Sequence, residues 1–156
     1  MFKRIIHSSG ALRLLLNVYP PYLGARIKTT FISKDFRTIR VEMPLGIFNR
    51  NVVGTHFGGS LFSMTDPFFA LIFIRNLGPQ YVVWDLSSQI DFRSPGIGRV
   101  FVEFSVKQSD IDLALEKTRN GAPYRPSFTC QIRGENNDLV AELSKTLYIR
   151  KKPEHV

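Results

Sequence analysis

A single cysteine, Cys130, stands in 156 residues. One thiol cannot close a disulfide within the chain and leaves no Cys-rich metal set, so folding rests on burial, for which this length suffices. A lone thiol also fits a reducing cytoplasm. Long apolar runs are missing: the longest, Phe68 to Ile74, falls far short of the ~20 residues of a spanning helix. Histidine is scarce, with His7 and His155 near the ends and His56 alone inside. There is no Gly-x-Ser-x-Gly, so Ser-His-Asp catalysis has little support. A zinc site lacks ligands, and no metal is expected. No repeat or low-complexity segment divides the chain, which implies one domain over residues 1–156.

Acids are absent from the first 34 residues, whereas Lys3, Arg4, Arg13, Arg26 and Lys28 are basic. The Leu12 to Leu16 cluster is too short and too far in for a secretory leader. A mitochondrial presequence is the minor reading. The preferred one is an N-terminal helical segment over residues 1–22, an amphipathic helix stopping before Pro20-Pro21. The formal net charge of +8 suits either a solvated surface or attraction to a polyanion. No basic run exceeds Arg150-Lys151-Lys152 and no nucleic-acid motif is present, so nucleic acid is not expected. A phosphate-rich small molecule such as coenzyme A would need only two or three of Arg93, Arg99, Arg125 and Arg150.

Arg26 to Ser33 reads as a strand with Ile27, Thr29 and Phe31 on one side. Thr38 to Met43 alternates, placing Ile39, Val41 and Met43 inward. Gly58 to Asn76 is apolar nearly all round and bounded by Gly-Gly and Gly-Pro, which predicts a single long buried helix. Tyr81 to Phe92 alternates, with Val82, Trp84, Leu86, Ser88, Ile90 and Phe92 on one face and Asp85 and Asp91 on the polar one. With Arg99 to Lys107, whose Val100, Val102, Phe104 and Val106 point inward, it predicts a long hairpin. A short helix follows from Asp110, its N-cap, to Arg119. Ser127 to Arg133 and Leu139 to Arg150 form a second hairpin. The order β-β-α-β-β-α-β-β predicts an α+β fold, a curved antiparallel sheet of about five to six strands wrapped round the apolar helix.

Asn51 to Pro67, reading NVVGTHFGGSLFSMTDP, carries the chemistry. Gly58-Gly59 would bare backbone N–H groups at a helix start. Asp66 is the only carboxylate between Glu42 and Asp85 and is costly to bury in such a helix. Pro67 removes a helical hydrogen bond and biases Asp66 away from helical geometry, so a kink should aim its carboxylate off the helix.

These residues resemble the hotdog-fold thioesterase superfamily. The phenylacetyl-CoA (PaaI-type) thioesterase pattern is Asn, two residues, Gly, two residues, His-Gly-Gly, then Asp seven positions after the second Gly. Asn51, Gly54, Gly58, Gly59 and Asp66 stand in that register, with Phe57 in place of the His and His56 one position earlier. Ile90 to Gly98 is similar to that branch's strand-end signature. Asn17-Val18-Tyr19-Pro20-Pro21, Gly54 to Ser60 and Arg75 to Pro79 resemble an uncharacterised thioesterase-like hotdog subfamily, over roughly Asn17 to Arg150. The resemblance implies a hydrolase of acyl-CoA or a related thioester, a homodimer or dimer of dimers, needing no cofactor beyond the coenzyme A of its substrate.

In that setting Asp66 is general base or nucleophile and the N–H groups of Gly58 and Gly59 form an oxyanion hole. Asn51 and His56 position water or thioester. Phe57, Ser60 and Ser63 are candidate substrate-facing residues, and Ser63 is also placed to bond backbone one turn before Pro67. Asn51 in an Asx turn, His56 as a structural residue and Asp66 as a structural acid are the bland readings beside these. Gly58 and Asp66 lie about 12 Å apart along a continuous helix, too far for one reacting carbonyl. Two chains related by a two-fold axis would bring one Gly58 to the other's Asp66. The alternatives are a non-catalytic acyl-CoA or lipid-binding hotdog, a hotdog dehydratase, and a basic surface-binding module.

Overall fold

The computed structural model describes residues 8–153. Strands β1 (Lys28–Ile32), β2 (Thr38–Pro44), β3 (Tyr81–Phe92), β4 (Arg99–Ser105), β5 (Ser127–Gly134) and β6 (Leu139–Lys151) form one curved antiparallel sheet in the order β1-β2-β4-β5-β6-β3. Among the described residues five helices accompany it: α1 (Ser9–Asn17), α2 (Pro20–Ala25), α3 (Gly58–Ser63), α4 (Phe68–Leu77) and α5 (Gln108–Lys117). The architecture is the expected hotdog, with the α3–α4 segment gripped by the sheet.

Alternation explains the grip. Ile39, Val41 and Met43 of β2 and Val100, Val102 and Phe104 of β4 are all buried, as a sheet with one apolar face requires. Phe68, Phe69 and Phe73 of α4 enter this face and are essentially inaccessible. Phe68 stacks on Phe104 at 4.8 Å between ring centroids, and Phe69 stacks on Phe128 at 5.3 Å. The outer edge of β1 is covered by α1. Asn17 there mimics a strand: its Oδ1 accepts from the Thr29 N–H at 2.7 Å and its Nδ2 donates to the Thr29 carbonyl at 3.1 Å. That satisfies backbone groups an open edge would leave bare.

The structure corrects several expectations. Tyr81 to Lys107 is not a hairpin. β3 pairs with β6 over its length, from Tyr81–Lys151 to Phe92–Ala141, while β4 lies between β2 and β5. The turn over residues 93–98 spends its backbone groups elsewhere: Arg93 N–H on the Val140 carbonyl, the Gly96 carbonyl on His56 N–H and the Gly98 carbonyl on Leu45 N–H. The chain therefore crosses the sheet rather than folding back. The inner face of β3 is also inverted in its first half. A bulge between Asp85 and Ser87 shifts the phase, so Tyr81 and Val83 pack on the core while Trp84 and Leu86 are exposed. Asp85 consequently turns inward. A bulge between Thr29 and Phe31 likewise leaves Phe31 outside. The N-cap of α5 is Lys107, and Asp110 sits at the third helical position, accepting the Lys107 N–H at 2.9 Å.

The central helix spans Gly58 to Leu77 but is interrupted between Ser63 and Phe68. The final turn of α3 tightens, with Thr65 N–H on the Phe62 carbonyl at 3.0 Å and Asp66 N–H on that of Ser63 at 3.2 Å. Pro67 follows a cis peptide bond and has no N–H to continue the ladder. Helical bonding resumes at Leu71, which donates to the Pro67 carbonyl at 3.0 Å.

Candidate functional site

Asp66 occupies the interruption, and its side chain is 54% accessible. One carboxylate oxygen accepts from Lys145 Nζ at 2.9 Å, and the same ammonium donates to Asp85 at 2.5 Å. Lys145 is 1% exposed, so its charge is bound wholly to these two acids. Three elements meet here: the α3–α4 break, β3 and β6. Burial opposes the Asp66 charge, but the neighbouring Asp85 carboxyl and the hydrogen bond and charge of Lys145 outweigh it and hold the group below the usual carboxylate range. Asp85 moves the other way, to about 6, through burial first and then the adjacent Asp66 carboxylate. Two carboxyls in mutual reach cannot both ionise freely, so the environment splits their titrations and leaves Asp66 the charged one below about pH 6. The Tyr22 hydroxyl donates to the Asp66 backbone carbonyl. Its own ionisation is pushed up by burial and by the neighbouring Asp66 charge.

The start of α3 is arranged differently. Asn51 Oδ1 accepts from Val53 and Thr55 N–H at 3.1 and 3.0 Å, and its Nδ2 donates to Thr55 Oγ1 and the His56 carbonyl. Its side chain thus holds its own loop as an Asx turn. His56 is buried, with Nε2 at 3.0 Å from the Gly98 carbonyl, and burial lowers its pKa. It ties the loop to the 93–98 crossing. Phe57 is exposed, and its ring lies over Gly59, where a Cβ would meet Phe57 Cε1 at 2.3 Å. A Cβ at Gly58 would meet Phe92 Cζ at 3.0 Å. Within this chain, aromatic rings therefore stand against both glycines.

Two clefts separate the anticipated residues. Asn51, His56 and Gly58 line one of about 460 Å³, with Phe92, Arg93 and Gly96. Ser63 and Asp66 line another of about 480 Å³, under α1 and α2. Ser63 Oγ donates to the Gly59 carbonyl at 2.8 Å, the expected backbone bond. Ser60 is buried and, like Phe57 and Gly59, lines neither cleft. Asp85 and Lys145 are the residues that sequence reasoning missed. For Lys145 a signal existed: Ala141, Leu143, Leu147 and Ile149 of β6 are buried at alternate positions, and Lys145 holds the slot between.

The family model described as "Domain of unknown function (DUF4442)" matches residues 9–149, and the chain belongs to that family. Among solved structures it is similar to a Pseudomonas aeruginosa protein of unknown function described as a probable thioesterase. Identity is 18%, coverage 93% of this chain and 99% of that one, and the TM-score 0.82. A Haemophilus influenzae thioesterase gives 16% identity, 95% and 94% coverage and a TM-score of 0.69. The E. coli PaaI protein from the phenylacetic acid degradation operon gives 14% identity, 91% coverage of each chain and 0.63. At these identities the likeness establishes the hotdog fold. No curated protein matches the chain. Among the described residues no helix is long and apolar enough to cross a membrane.

Proposed function

We propose that the protein is an acyl-CoA thioesterase whose site is completed across a homodimer. The observation that carries the reading is Asp66: a carboxylate kept ionised by a fully buried Lys145, released from the helix by the Pro67 break, and open to an apolar cleft. It takes a proton from water as general base, or attacks as nucleophile. The N–H groups of Gly58 and Gly59 from a second copy receive the carbonyl oxygen as it becomes an oxyanion. As base, Asp66 passes the proton it took from water to the thiolate as the C–S bond breaks; as nucleophile, it expels the thiolate to leave an Asp66–acyl anhydride, which water then cleaves to the free acid and the regenerated carboxylate, the water's proton going to the thiolate. Within one chain Gly58 and Asp66 face different clefts, which supports assigning the halves of the site to two subunits. β3 is the place to join them. It is a 12-residue edge strand with Trp84, Leu86 and Phe92 exposed along it, the kind of edge that recruits another strand. Arg93 lines the Gly58 cleft and is only loosely paired, at 3.7 and 3.8 Å from Asp91 and Glu142. It is the cation assigned to coenzyme A phosphate, since Arg99 is paired to Glu42 at 2.9 Å, Arg125 lies over the Tyr148 ring and Arg150 bonds the Gly121 carbonyl.

A second reading rests on Phe57. Its ring over Gly59, in place of the His of PaaI-type enzymes, favours a hotdog that binds acyl-CoA without turnover. A panel of acyl-CoA thioesters assayed for thiol release separates the two. The enzyme hydrolyses some of them, and Asp66→Asn lowers the rate by roughly 10²–10⁴-fold while a non-hydrolysable thioether analogue still binds. Tight analogue binding with no hydrolysis of any member supports the binding module instead.

A further inference from the structure

The space between α4 and the sheet, where an acyl chain could otherwise lie, is full. Phe68, Phe69, Phe73 and Phe104 are each at most 1% exposed, and their rings with Phe128 lie 4.8 to 5.3 Å apart between centroids. Apolar room near Asp66 exists on the opposite side of the helix. There the cleft under the N-terminal helices is walled by Leu12, Leu15, Leu16, Tyr19, Phe62 and Leu71. Its volume of about 480 Å³ lies within the range of small-molecule sites. Of the two side chains on its wall that are neither hydrocarbon nor aromatic, Ser63 has spent its hydroxyl on the Gly59 carbonyl, and Asp66 is the single charge. Tyr22 lines the same cleft and clamps α2 to the Asp66 turn through its hydroxyl, so the apolar wall and the acid hold one relative position.

We propose that this cleft takes the straight aliphatic chain of a thioester substrate, its carbonyl end at Asp66; the assignment rests on the thioesterase reading above. The charge selects the occupant. An ionised carboxylate on the wall repels the head of a free fatty acid but not the neutral carbonyl of a thioester. Substrate is therefore retained, and the acid formed by hydrolysis is expelled. No phosphate or other anion is accommodated beside Asp66, which leaves the nucleotide end of the substrate outside this cleft.

The test is titration of the full-length protein with non-hydrolysable alkyl-CoA thioethers carrying two to sixteen carbons, followed calorimetrically. Each methylene should tighten binding by about fourfold until the cleft is filled, from the transfer free energy of a buried CH₂. Leu15 is half-buried, so Leu15→Trp should fold, fill the cleft and remove the chain-length dependence. Leu15→Ala should move the plateau to longer chains; it serves as the second variant should the tryptophan unfold the protein. Affinity flat from two to sixteen carbons overturns the proposal, as does a slope unaltered by both Leu15 variants. So does dodecylamine binding more tightly than the twelve-carbon thioether, which would make this a cation site. If short acyl-CoAs are hydrolysed with no chain-length dependence, the cleft assignment falls and the thioesterase reading stands. If the slope is present and no thioester is turned over, the cleft assignment stands and the thioesterase reading falls.

Discussion

Lys145→Met should destabilise the protein in a strongly pH-dependent way. The substitution keeps most of the side-chain volume and removes only the ammonium that Asp66 and Asp85 share at 2.9 and 2.5 Å. Breaking a fully buried pair costs about 3–5 kcal/mol. Asp85 is 21% exposed and Asp66 54%, so solvent screens part of the uncompensated charge. A loss of about 2–3 kcal/mol at pH 8 follows, or roughly 4–12 °C in Tm for a chain of this length. In the variant two carboxylates face each other without a cation, which raises their folded-state titration above that of the unfolded chain. Such groups favour folding at low pH and lose that contribution as pH rises through the raised value. Asp85 already titrates at about 6 with Lys145 present. At pH 5 a proton on Asp85 removes one of the two charges, and the gap to wild type should shrink to about 1 kcal/mol. Thermal melts followed by circular dichroism at pH 5 and pH 8 read this directly. Adding Asp85→Asn to Lys145→Met should recover about half of the pH 8 loss. Equal Tm gaps at both pH values, or a gap below 1 °C at pH 8, would refute the charge argument and reduce Lys145 to a packing residue.

The same cluster governs the expected rate profile: kcat/KM should rise through pH 6 as Asp85 ionises and strengthens Asp66 as a base, and Asp85→Asn should hold the low-pH plateau with no inflection. An inflection that persists in Asp85→Asn would assign it to another group. Asn49→Ala should cost about 2–4 kcal/mol, because buried Asn49 satisfies Gly46 N–H and the Ala25 and Pro44 carbonyls at 2.7 to 2.9 Å and each group left unpaired is penalised; urea unfolding measures it. For the proposed dimer joined at β3, Leu86→Lys on its exposed edge should shift light-scattering mass from dimer to monomer and abolish the proposed hydrolysis, while leaving the secondary structure intact.

Much of the fold was legible because most strands keep strict alternation. In β2 and β4 nothing interrupts the period of two, and the inward sets match residue for residue. The apolar 58–76 segment and its Gly-Gly and Gly-Pro boundaries identified the central element, and Pro67 correctly marked where it departs from a single helix. What failed were decisions made by the rest of the chain. A Tyr81–Lys107 hairpin and a crossing strand share one local pattern. The crossing wins because residues 93–98 find partners on Leu45, His56 and Val140, which no local pattern contains. Bulges are equally invisible: a single extra residue at Leu86 reverses the phase of half a strand without altering its composition.

The candidate site was legible to the extent that one residue carries it. Asp66 stood out because an isolated acid in an apolar helix needs a reason, and the motif spacing supplied one. Its partners are on strands more than a dozen residues away, and their roles follow from faces rather than motifs. Asp85 was set on the polar side of β3 by an alternation that the Leu86 bulge cancels. Lys145 was more accessible to inference. A lysine in the middle slot of Ala141, Leu143, Lys145, Leu147 and Ile149 cannot stay charged beneath a sheet without an acid opposite, and β6 pairs with β3 at Asp85–Leu147 and Ser88–Lys145. A buried cation implies anions close by. With Asp66 alone it would make a neutral pair and a fixed structural tie. With Asp85 added, the cluster holds one proton more or less near pH 6, and the accessible Asp66 carboxylate changes its basicity with that proton.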